Sequence, residues 1–455
     1  MKIFIKAVRS YEAYRLVKAG IKVKRWVLLA IMGILLIVFG MLEFVRNRFY
    51  SNYYIAFYVF LIGSGVFVLY ISVTQGMKAI IALVNKGYLN ISLDSKKLEN
   101  LIYEKRLLVK GPKIVAIGGG TGLSTMLRGL KYYTSNITAI VTVADDGGGS
   151  GELREDLGML PPGDIRNCIL SLSDTEPLME ELLQYRFTDG RLKNQSFGNL
   201  FLAAMDGISN NFEEAVQKVS SVLAVTGKVV PVTLENIVLK ARLKNNMIVE
   251  GESNIPEKSL QYNSKIEKVF IEPENAKALS EAVTAIKEAD AIILGPGSLY
   301  TSVIPNLLIK DITEALKKTK APKIYISNIM TQPGETDNFT VSDHIKTINK
   351  HCHGKMVDYV IVNVGQIDKE LEEKYKKKKS KLVKIDEEKI RELNVDVIGG
   401  NFLKVKNELI RHNSEKLASI LIETIMEKKL LYDKKKIIEY FYLSERLKEN
   451  KNKQR

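Results

Sequence analysis

Two apolar runs that each end in glycine dominate the hydrophobic pattern in the middle of the chain. The first, residues 114–117, stops at consecutive glycines, and residues 121–131 then repeat apolar positions at the spacing of an amphipathic helix. The second, residues 137–143, leads through Asp145 and Asp146 into another glycine cluster. Neighbouring parallel strands end at the same edge of a sheet, so we expect both glycine loops to lie there. Such loops let a phosphate approach the main chain closely, which predicts a ligand site.

The alternation of strand and helix patterns continues to about residue 428. Helices are predicted at 165–172, 176–187, 196–208, 276–288 and 299–309, and strands at 268–273, 291–294, 323–329 and 358–364. Asp164 is the predicted N-cap of the first of these helices, and residues 229–250 alternate as an inserted β-hairpin would. A third small-residue turn follows strand 291–294. The pattern predicts an α/β fold over residues 112–428, a Rossmann-like, mostly parallel sheet with helices on both faces.

The amino-terminal part has a different pattern, with two long apolar stretches at residues 26–44 and 54–73. Each is close to the ~20 residues that a membrane-spanning helix needs, which predicts a transmembrane hairpin over 26–74. Lys and Arg are denser outside the hairpin than in its connecting loop, so both termini and the main domain are expected in the cytoplasm. Trp26 and Tyr54 are among the aromatic residues at the expected interfaces. A buried helical hairpin and a cleaved signal peptide are the alternatives, although a signal peptide has no second span.

Charge is unevenly distributed along the 455 residues, whose formal net charge is +15. Basic residues crowd a cytoplasmic segment at 1–25, a loop at 374–381 and a carboxyl-terminal tail at 429–455, while 75–111 forms a charged linker. The first cluster precedes the hairpin and favours contact with anionic lipid. No aromatic-interleaved basic pattern indicates nucleic-acid binding.

Cysteine and histidine give little indication of a metal or disulfide. The two cysteines, Cys168 and Cys352, predict no disulfide framework and fit a reducing cytoplasm. His351 and His353 flank Cys352, but no second cluster completes a metal site, and the segment is interpreted as a helix end.

The glycine loops narrow the ligand class. Leu123 stands where the dinucleotide fingerprint has its last glycine, so an NAD-dependent oxidoreductase is disfavoured. Asp145 and Asp146 could hold a ribose hydroxyl, ligate Mg²⁺ between phosphates, or cap the next helix. Arg166 either faces the ligand or pairs with a surface carboxylate. Asp145, Asp146 and Arg166 are therefore the candidate catalytic residues, and the two aspartates the candidate metal ligands.

Six blocks together resemble one family. They are GGGTG (118–122), ADDGGGSG (144–151), PPGDIRN (161–167), FGN (197–199), GPGSLYTS (295–302) and NIMTQPGET (328–336). The combination resembles the gluconeogenesis factor (YvcK-like) proteins, relatives of 2-phospho-L-lactate transferase (CofD-like) enzymes. The membrane hairpin is an addition to the shorter cytosolic pattern of that family.

The resemblance implies a ligand and the residues that bind it. The ligand would be a UDP-sugar, UDP-N-acetylglucosamine or UDP-glucose, and the role support of cell shape and envelope synthesis on gluconeogenic carbon. Proteins of envelope synthesis are then the expected partners, and a homo-oligomer is left open. The implied ligand-binding residues are Gly119, Gly120, Thr121, Gly122, Asp145, Asn199, Ser298, Tyr300, Tyr375 and Arg411, and the glycine loops themselves add Gly118, Asp146 and Gly297 as candidates. The lysine-rich run after Tyr375 departs from the family pattern.

Two hypotheses follow from these residues. In the first, the protein is a membrane-tethered binding factor that catalyses nothing. In the second, it is a Mg²⁺-dependent phosphotransferase that uses a nucleoside diphosphate-linked donor, with Asp145 and Asp146 holding the metal and Arg166 neutralising charge on the transferred group.

Overall fold

The computed structural model describes residues 25–26, 28–46, 52–85, 111–175, 177–430, 443–444 and 446–448. The chain divides into two compact units, Met1–Lys105 and Arg106–Arg455. The predicted basic segment before residue 25, most of the 75–111 linker and most of the 429–455 tail lie outside the described residues.

The elements are as follows. The helices are α1 (Leu28–Arg46), α2 (Asn52–Asn85), α3 (Gly120–Leu130), α4 (Gly148–Leu157), α5 (Gly163–Leu172), α6 (Pro177–Gln184), α7 (Phe197–Gly207), α8 (Phe212–Val222), α9 (Asn254–Gln261), α10 (Ser280–Glu288), α11 (Ile304–Leu308), α12 (Lys310–Lys318), α13 (Val341–His351), α14 (Lys369–Lys377), α15 (Glu387–Glu392) and α16 (Ser414–Ile425), with π-helical turns at Leu299–Val303 and Met426–Leu430. The strands are β1 (Ile114–Gly118), β2 (Ile137–Val141), β3 (Lys228–Pro231), β4 (Val238–Leu243), β5 (Ile248–Glu250), β6 (Ile266–Glu272), β7 (Ala291–Leu294), β8 (Lys323–Ile326), β9 (Tyr359–Asn363), β10 (Asp396–Gly400), β11 (Leu403–Lys406) and β12 (Leu409–His412).

The first unit contains the two predicted apolar helices. Helix α1 and the segment Tyr53–Gln75 of α2 are 19 and 23 residues long, and both are apolar enough to cross a membrane. Most of their side chains are exposed. The helices also touch closely, since a Cβ added at Gly65 would lie 2.8 Å from the Gly33 carbonyl oxygen, the kind of small-residue contact that joins membrane helices. Helix α2 continues through the boundary predicted at residue 74 and ends at Asn85.

The second unit is built on a seven-stranded sheet in the order β10-β9-β8-β7-β1-β2-β3, and every pair in it is parallel. All residues of β1 and β7 are buried. Consecutive strand residues point to opposite faces, so both faces of the sheet are covered, and this explains the unbroken apolar runs in the sequence. On one side α3 packs against α5 and α16. The predicted Rossmann-like α/β fold is confirmed.

Smaller strands differ from the prediction. Residues 229–250 do not form one hairpin, because Lys228–Pro231 is the edge strand of the main sheet and only β4 and β5 pair with each other. β6 joins them in a separate antiparallel sheet. The last parallel strand is β10 rather than β9, and its glycine-containing sequence had too weak an apolar pattern to predict it. The ribbon β11–β12 was likewise not predicted.

Candidate functional site

The site lies where the direction of strand connection reverses. From β1 the chain proceeds to β2 and β3 on one side, whereas from β7 it proceeds to β8, β9 and β10 on the other. Loops that leave β1 and β7 diverge, and a crevice opens at the carboxyl ends of these two strands. The three parent strands of the glycine loops are neighbours in the order β7-β1-β2. The prediction that these loops meet along one edge of the sheet is therefore confirmed.

The loops after β1 and β7 are in direct contact. A Cβ added at Gly122 would lie 2.5 Å from the carbonyl oxygen of Pro296 and 2.8 Å from its carbonyl carbon, so only glycine fits. The buried Asn306 side chain donates from Nδ2 to the carbonyl oxygens of Gly118 at 3.1 Å and Ser302 at 2.8 Å. These contacts hold the two loops as one rigid wall.

The first turn of α3 offers main-chain donors. Gly119 is its N-cap and supplies no side-chain cap, and Gly120 has a left-handed φ of 67° that favours glycine. N–H groups at such a helix start, with the positive end of the helix dipole, suit an anion.

Asp164 lies directly beside this loop. It was predicted to cap its own helix, but α5 has Pro162 at its N-cap position and the carboxylate of Asp164 instead accepts a hydrogen bond from the N–H of Gly120. Burial, with a further contribution from the negative charge of Asp145, raises the pKa of Asp164 to about 7. A tertiary contact has replaced the local cap.

The main cleft has a cavity volume of about 1080 Å³. One wall consists of the loops after β1 and β7, a second of the segment after β8, and a third of α14 and β12. Side chains or main chain of the following residues line it: Gly119, Gly120, Thr121, Gly122, Thr125, Glu252, Gly297, Ser298, Thr301, Asn328, Gln332, Glu335, Tyr375, Lys378, Arg411 and His412.

Two buried carboxyl groups in this cleft have pKa values close to neutral pH. Burial raises the pKa of Glu252 to about 8 and that of Glu335 to about 7. Thr301 hydrogen-bonds to Glu252, and the Ser298 hydroxyl donates to the Glu335 carboxyl. Near neutral pH the cleft consequently carries less negative charge than its carboxyl groups would suggest, which reduces repulsion of an anionic ligand.

Tyr375 and Arg411, which the family resemblance implied, both line the cleft. The Tyr375 hydroxyl accepts a hydrogen bond from the N–H of Ile410 at 2.9 Å, and Lys374 pairs with Glu408 at 2.8 Å, so α14 is fixed to the ribbon. The exposed Arg411 donates from Nη1 to Oγ1 of Thr121 at 3.2 Å. A cation therefore lies at the start of α3.

Other predicted site residues lie off the cleft wall. Gly118 ends β1 in the core. Tyr300 is buried, with ring contacts to Phe339 and His351 at 6.3 and 6.0 Å between centroids. Asn199 is buried at the start of α7, and within the described chain its Oδ1 has no hydrogen-bond partner.

Asp145 and Asp146 engage different elements. Asp145 accepts from the N–H of Gly147 at 3.0 Å, and burial raises its pKa. Asp146 accepts from the N–H of Ser253 at 2.9 Å and so ties the β2 loop to the turn before α9. Among the residues that the structure describes, no three His, Cys, Asp or Glu side chains form a group that could hold a metal ion. This arrangement does not fit a metal held jointly by the two aspartates.

Arg166 belongs to a neighbouring cleft rather than to the main one. Its guanidinium donates to the Ser196 hydroxyl and, at 2.8 Å, to Oδ1 of Asn167. No carboxylate of the described residues forms an ion pair with it. Neither of the two predicted roles, facing the main ligand or pairing with a surface acid, matches this position.

Sequence reasoning missed several cleft residues. Glu335 lies within the block 328–336 and could have been chosen from it. Glu252 follows β5 of the antiparallel sheet, and no local pattern marks it. His412 lies far from the glycine motifs in the chain, yet it lines the cleft, and burial lowers its pKa to about 4. Its imidazole is therefore neutral at physiological pH.

The fold and the site define a class: a Rossmann-like α/β protein with a large cleft at its topological switch point. Residues 114–403 match the family model of 2-phospho-L-lactate transferase CofD. The chain is 48% identical to the gluconeogenesis factor of Bacillus subtilis over 317 residues, which cover 70% of this chain and 99% of the relative. It is 72% identical over 436 residues to a Clostridium acetobutylicum protein provisionally described as a gluconeogenesis factor, covering 96% of this chain and 97% of that protein.

Solved structures agree with this match. A crystal structure of a Bacillus halodurans protein, 46% identical, aligns with a TM-score of 0.66 over 70% of this chain and 99% of its own length. The chain belongs to the gluconeogenesis factor (YvcK-like) family, related to the CofD-like proteins.

Proposed function

We propose that this protein binds a UDP-sugar, UDP-N-acetylglucosamine or UDP-glucose, in the main cleft. One observation carries the proposal: the start of α3, whose N-cap Gly119 supplies no side-chain cap, and the Gly297–Ser298 turn face the same cavity of about 1080 Å³ at the switch point. A nucleotide-sugar needs main-chain donors for its diphosphate and a long cavity with a few polar groups for base and sugar. This cleft offers both.

The walls suggest how the ligand lies. The N–H groups of α3 after Gly120, whose own N–H the Asp164 carboxylate accepts, would bind the diphosphate, and Arg411 beside Thr121 would add a positive charge there. On the opposite wall, Nδ2 of Asn328 donates to Oε1 of Gln332 at 3.2 Å. Such paired amides can exchange this bond for hydrogen bonds to a uracil ring or to sugar hydroxyls.

The apolar helices support a membrane-anchored role. We place the protein in the cell membrane as a two-pass protein, with the hairpin in contact with lipid and with both termini and the main domain in the cytoplasm. Its relatives' description as gluconeogenesis factors supports a role in growth on gluconeogenic carbon. Within that role we propose that the protein regulates cell shape and envelope synthesis, beside envelope-synthesis proteins. In this role the UDP-sugar is a signal rather than a substrate.

Titration calorimetry of the full-length chain in detergent tests the binding. UDP-N-acetylglucosamine should bind saturably, and Arg411→Gln should weaken it by about tenfold, the loss expected for one charge-assisted hydrogen bond. Arg391→Gln is the matched control, since Arg391 is an exposed arginine on α15 that pairs with Glu387 outside the cleft. No heat with millimolar UDP-N-acetylglucosamine or UDP-glucose would exclude the proposal.

A second candidate is the Mg²⁺-dependent phosphotransferase. The match of residues 114–403 to a family model described as a transferase favours it. The Asp164 carboxyl, which accepts the Gly120 N–H and is close enough to Asp145 to feel its charge, favours it as well. Purified protein would then consume a nucleoside diphosphate-linked donor, with any Mg²⁺ held otherwise than by the two aspartates together, and Asp145→Asn would lower turnover by roughly 100-fold or more. If the folded protein binds the ligand but consumes no donor, the result would favour the binding factor over the phosphotransferase.

A further inference from the structure

A second cleft adjoins the main one on the other side of Arg411. It lies between α3, α5 and the ribbon β11–β12, and its cavity volume is about 450 Å³. Thr121, Thr125, Arg411 and His412 line both clefts, so the two spaces meet at the start of α3. A volume of this size suits a small molecule.

The lining of this second cleft is basic. None of the described residues that line it is acidic. Six of them are cationic: Arg128, Arg166, Arg186, Lys404, Lys406 and Arg411. Arg128 pairs with Glu180 at 3.0 Å. The other five form no ion pair with any acid in the described part of the chain.

Secondary structure directs these cations to one space. Lys404 is the cross-strand partner of Arg411 in the ribbon, and Lys406, two residues along, lies on the same face. On α3, Thr121, Thr125 and Arg128 follow the spacing of one helix face. Hydroxyl and cationic groups thus converge from a helix and a ribbon.

The positive charges act on one another. Burial and the charge of Arg186 lower the pKa of Arg166 against the opposing effect of Asp164 and Asp145, although no shift can deprotonate an arginine near neutral pH. The Nε of Arg166 is buried and, within the described chain, has no hydrogen-bond partner. Repulsion between like charges and an unpaired buried donor both cost stability, and a bound anion would relieve both.

We infer that this second cleft binds a small anion that carries more than one negative charge, a phosphate or diphosphate ester. Guanidinium groups bind phosphate oxygens through paired hydrogen bonds, which favours phosphate over a single carboxylate. The ligand would lie beside the occupant of the main cleft, and Arg411 would contact both. This inference does not depend on which ligand the main cleft takes.

Calorimetric titration of the full-length chain in detergent with sodium pyrophosphate, at constant ionic strength, tests the inference. The variant Lys404→Gln/Lys406→Gln should bind pyrophosphate about tenfold more weakly than the wild type, because it loses two cationic contacts. The control Lys317→Gln/Lys318→Gln makes the same change in net charge on exposed residues of α12 and should stay within about twofold. Both pairs are exposed, so folding is preserved.

The same titration separates this cleft from the main one. Pyrophosphate should still bind when UDP-N-acetylglucosamine is present at saturating concentration. If that nucleotide-sugar does not bind at all, the comparison of the two lysine double variants still tests pyrophosphate binding in the second cleft. Four outcomes would each overturn the inference. Pyrophosphate does not bind, its affinity falls equally in both double variants, its affinity is unchanged in the Lys404/Lys406 variant, or the nucleotide-sugar displaces it completely.

Discussion

Gly122 lies at the contact between the loops after β1 and β7, and replacing it with alanine tests whether that contact holds the cleft together. The new Cβ would lie 2.5 Å from the Pro296 carbonyl oxygen and 2.8 Å from its carbonyl carbon. Both are main-chain atoms that cannot rotate away, so the loops must separate. Overpacking of this kind costs about 1–3 kcal/mol.

Helix propensity acts in the opposite direction. Gly122 lies in α3, where alanine would otherwise stabilise by roughly 0.5–1 kcal/mol. The steric cost should prevail, and we expect a net loss of about 1–2 kcal/mol. For a domain of this size that loss lowers Tm by about 1.5–3 °C, and widening of the crevice should weaken nucleotide-sugar binding in the same protein.

Thermal denaturation and calorimetric titration of the full-length chain measure both effects. Gly207→Ala is the matched control, because Gly207 ends α7 and a Cβ there would meet no atom within 4 Å. It should be neutral or slightly stabilising. If Gly122→Ala melts at the temperature of the control and binds UDP-N-acetylglucosamine as the wild type does, the two loops do not form the wall described above.

Three further changes test other parts of the molecule. Burial raises the pKa of Glu252 to about 8, so its ionisation opposes folding increasingly as pH rises from about 5 to 8. Glu252→Gln, which keeps an oxygen acceptor for Thr301, should therefore gain stability relative to wild type by at most about 1.4 kcal/mol per pH unit in that window. If chemical denaturation gives the same difference in unfolding free energy between variant and wild type at every pH, the carboxyl is not buried as described. Tyr375→Phe removes the acceptor for the Ile410 N–H and should cost about 1–2 kcal/mol, with faster hydrogen exchange at that amide. Unchanged protection there would show that the bond is not formed. Deletion of residues 1–105, the first compact unit, should move the protein from the membrane fraction to the soluble fraction, and a truncated protein that stays with the membrane would locate the anchor elsewhere.

Much of the site was predictable because the loops that supply its main-chain groups are specified by short stretches of sequence. Apolar runs that stop at glycine predicted β1, β2 and β7 with their loops, since burial on both faces of a parallel sheet demands such runs. The apolar stretches before residue 75 predicted two long helices for a similar reason, because length and the lack of charge are properties of a segment by itself.

The side-chain part of the site was not predictable in this way. Asp164 has the position of an N-cap in the sequence, yet its carboxylate accepts the Gly120 N–H, a group more than 40 residues earlier in the chain. Asp146 stands in a glycine loop but binds the turn at Ser253. Glu252 and His412 reach the cleft from the antiparallel sheet and the ribbon, elements that carry no ligand-binding pattern of their own.

The sequence by itself determined which segments become buried strands, which turns can approach a phosphate, and that two helices could cross a membrane. Only the tertiary structure decided that β7 lies beside β1, which places the third glycine loop against the first and opens the crevice between them. Burial and turn geometry depend on a few adjacent residues. The order of strands in a sheet depends on how all the helices pack against it, and so it is settled only when the whole domain folds.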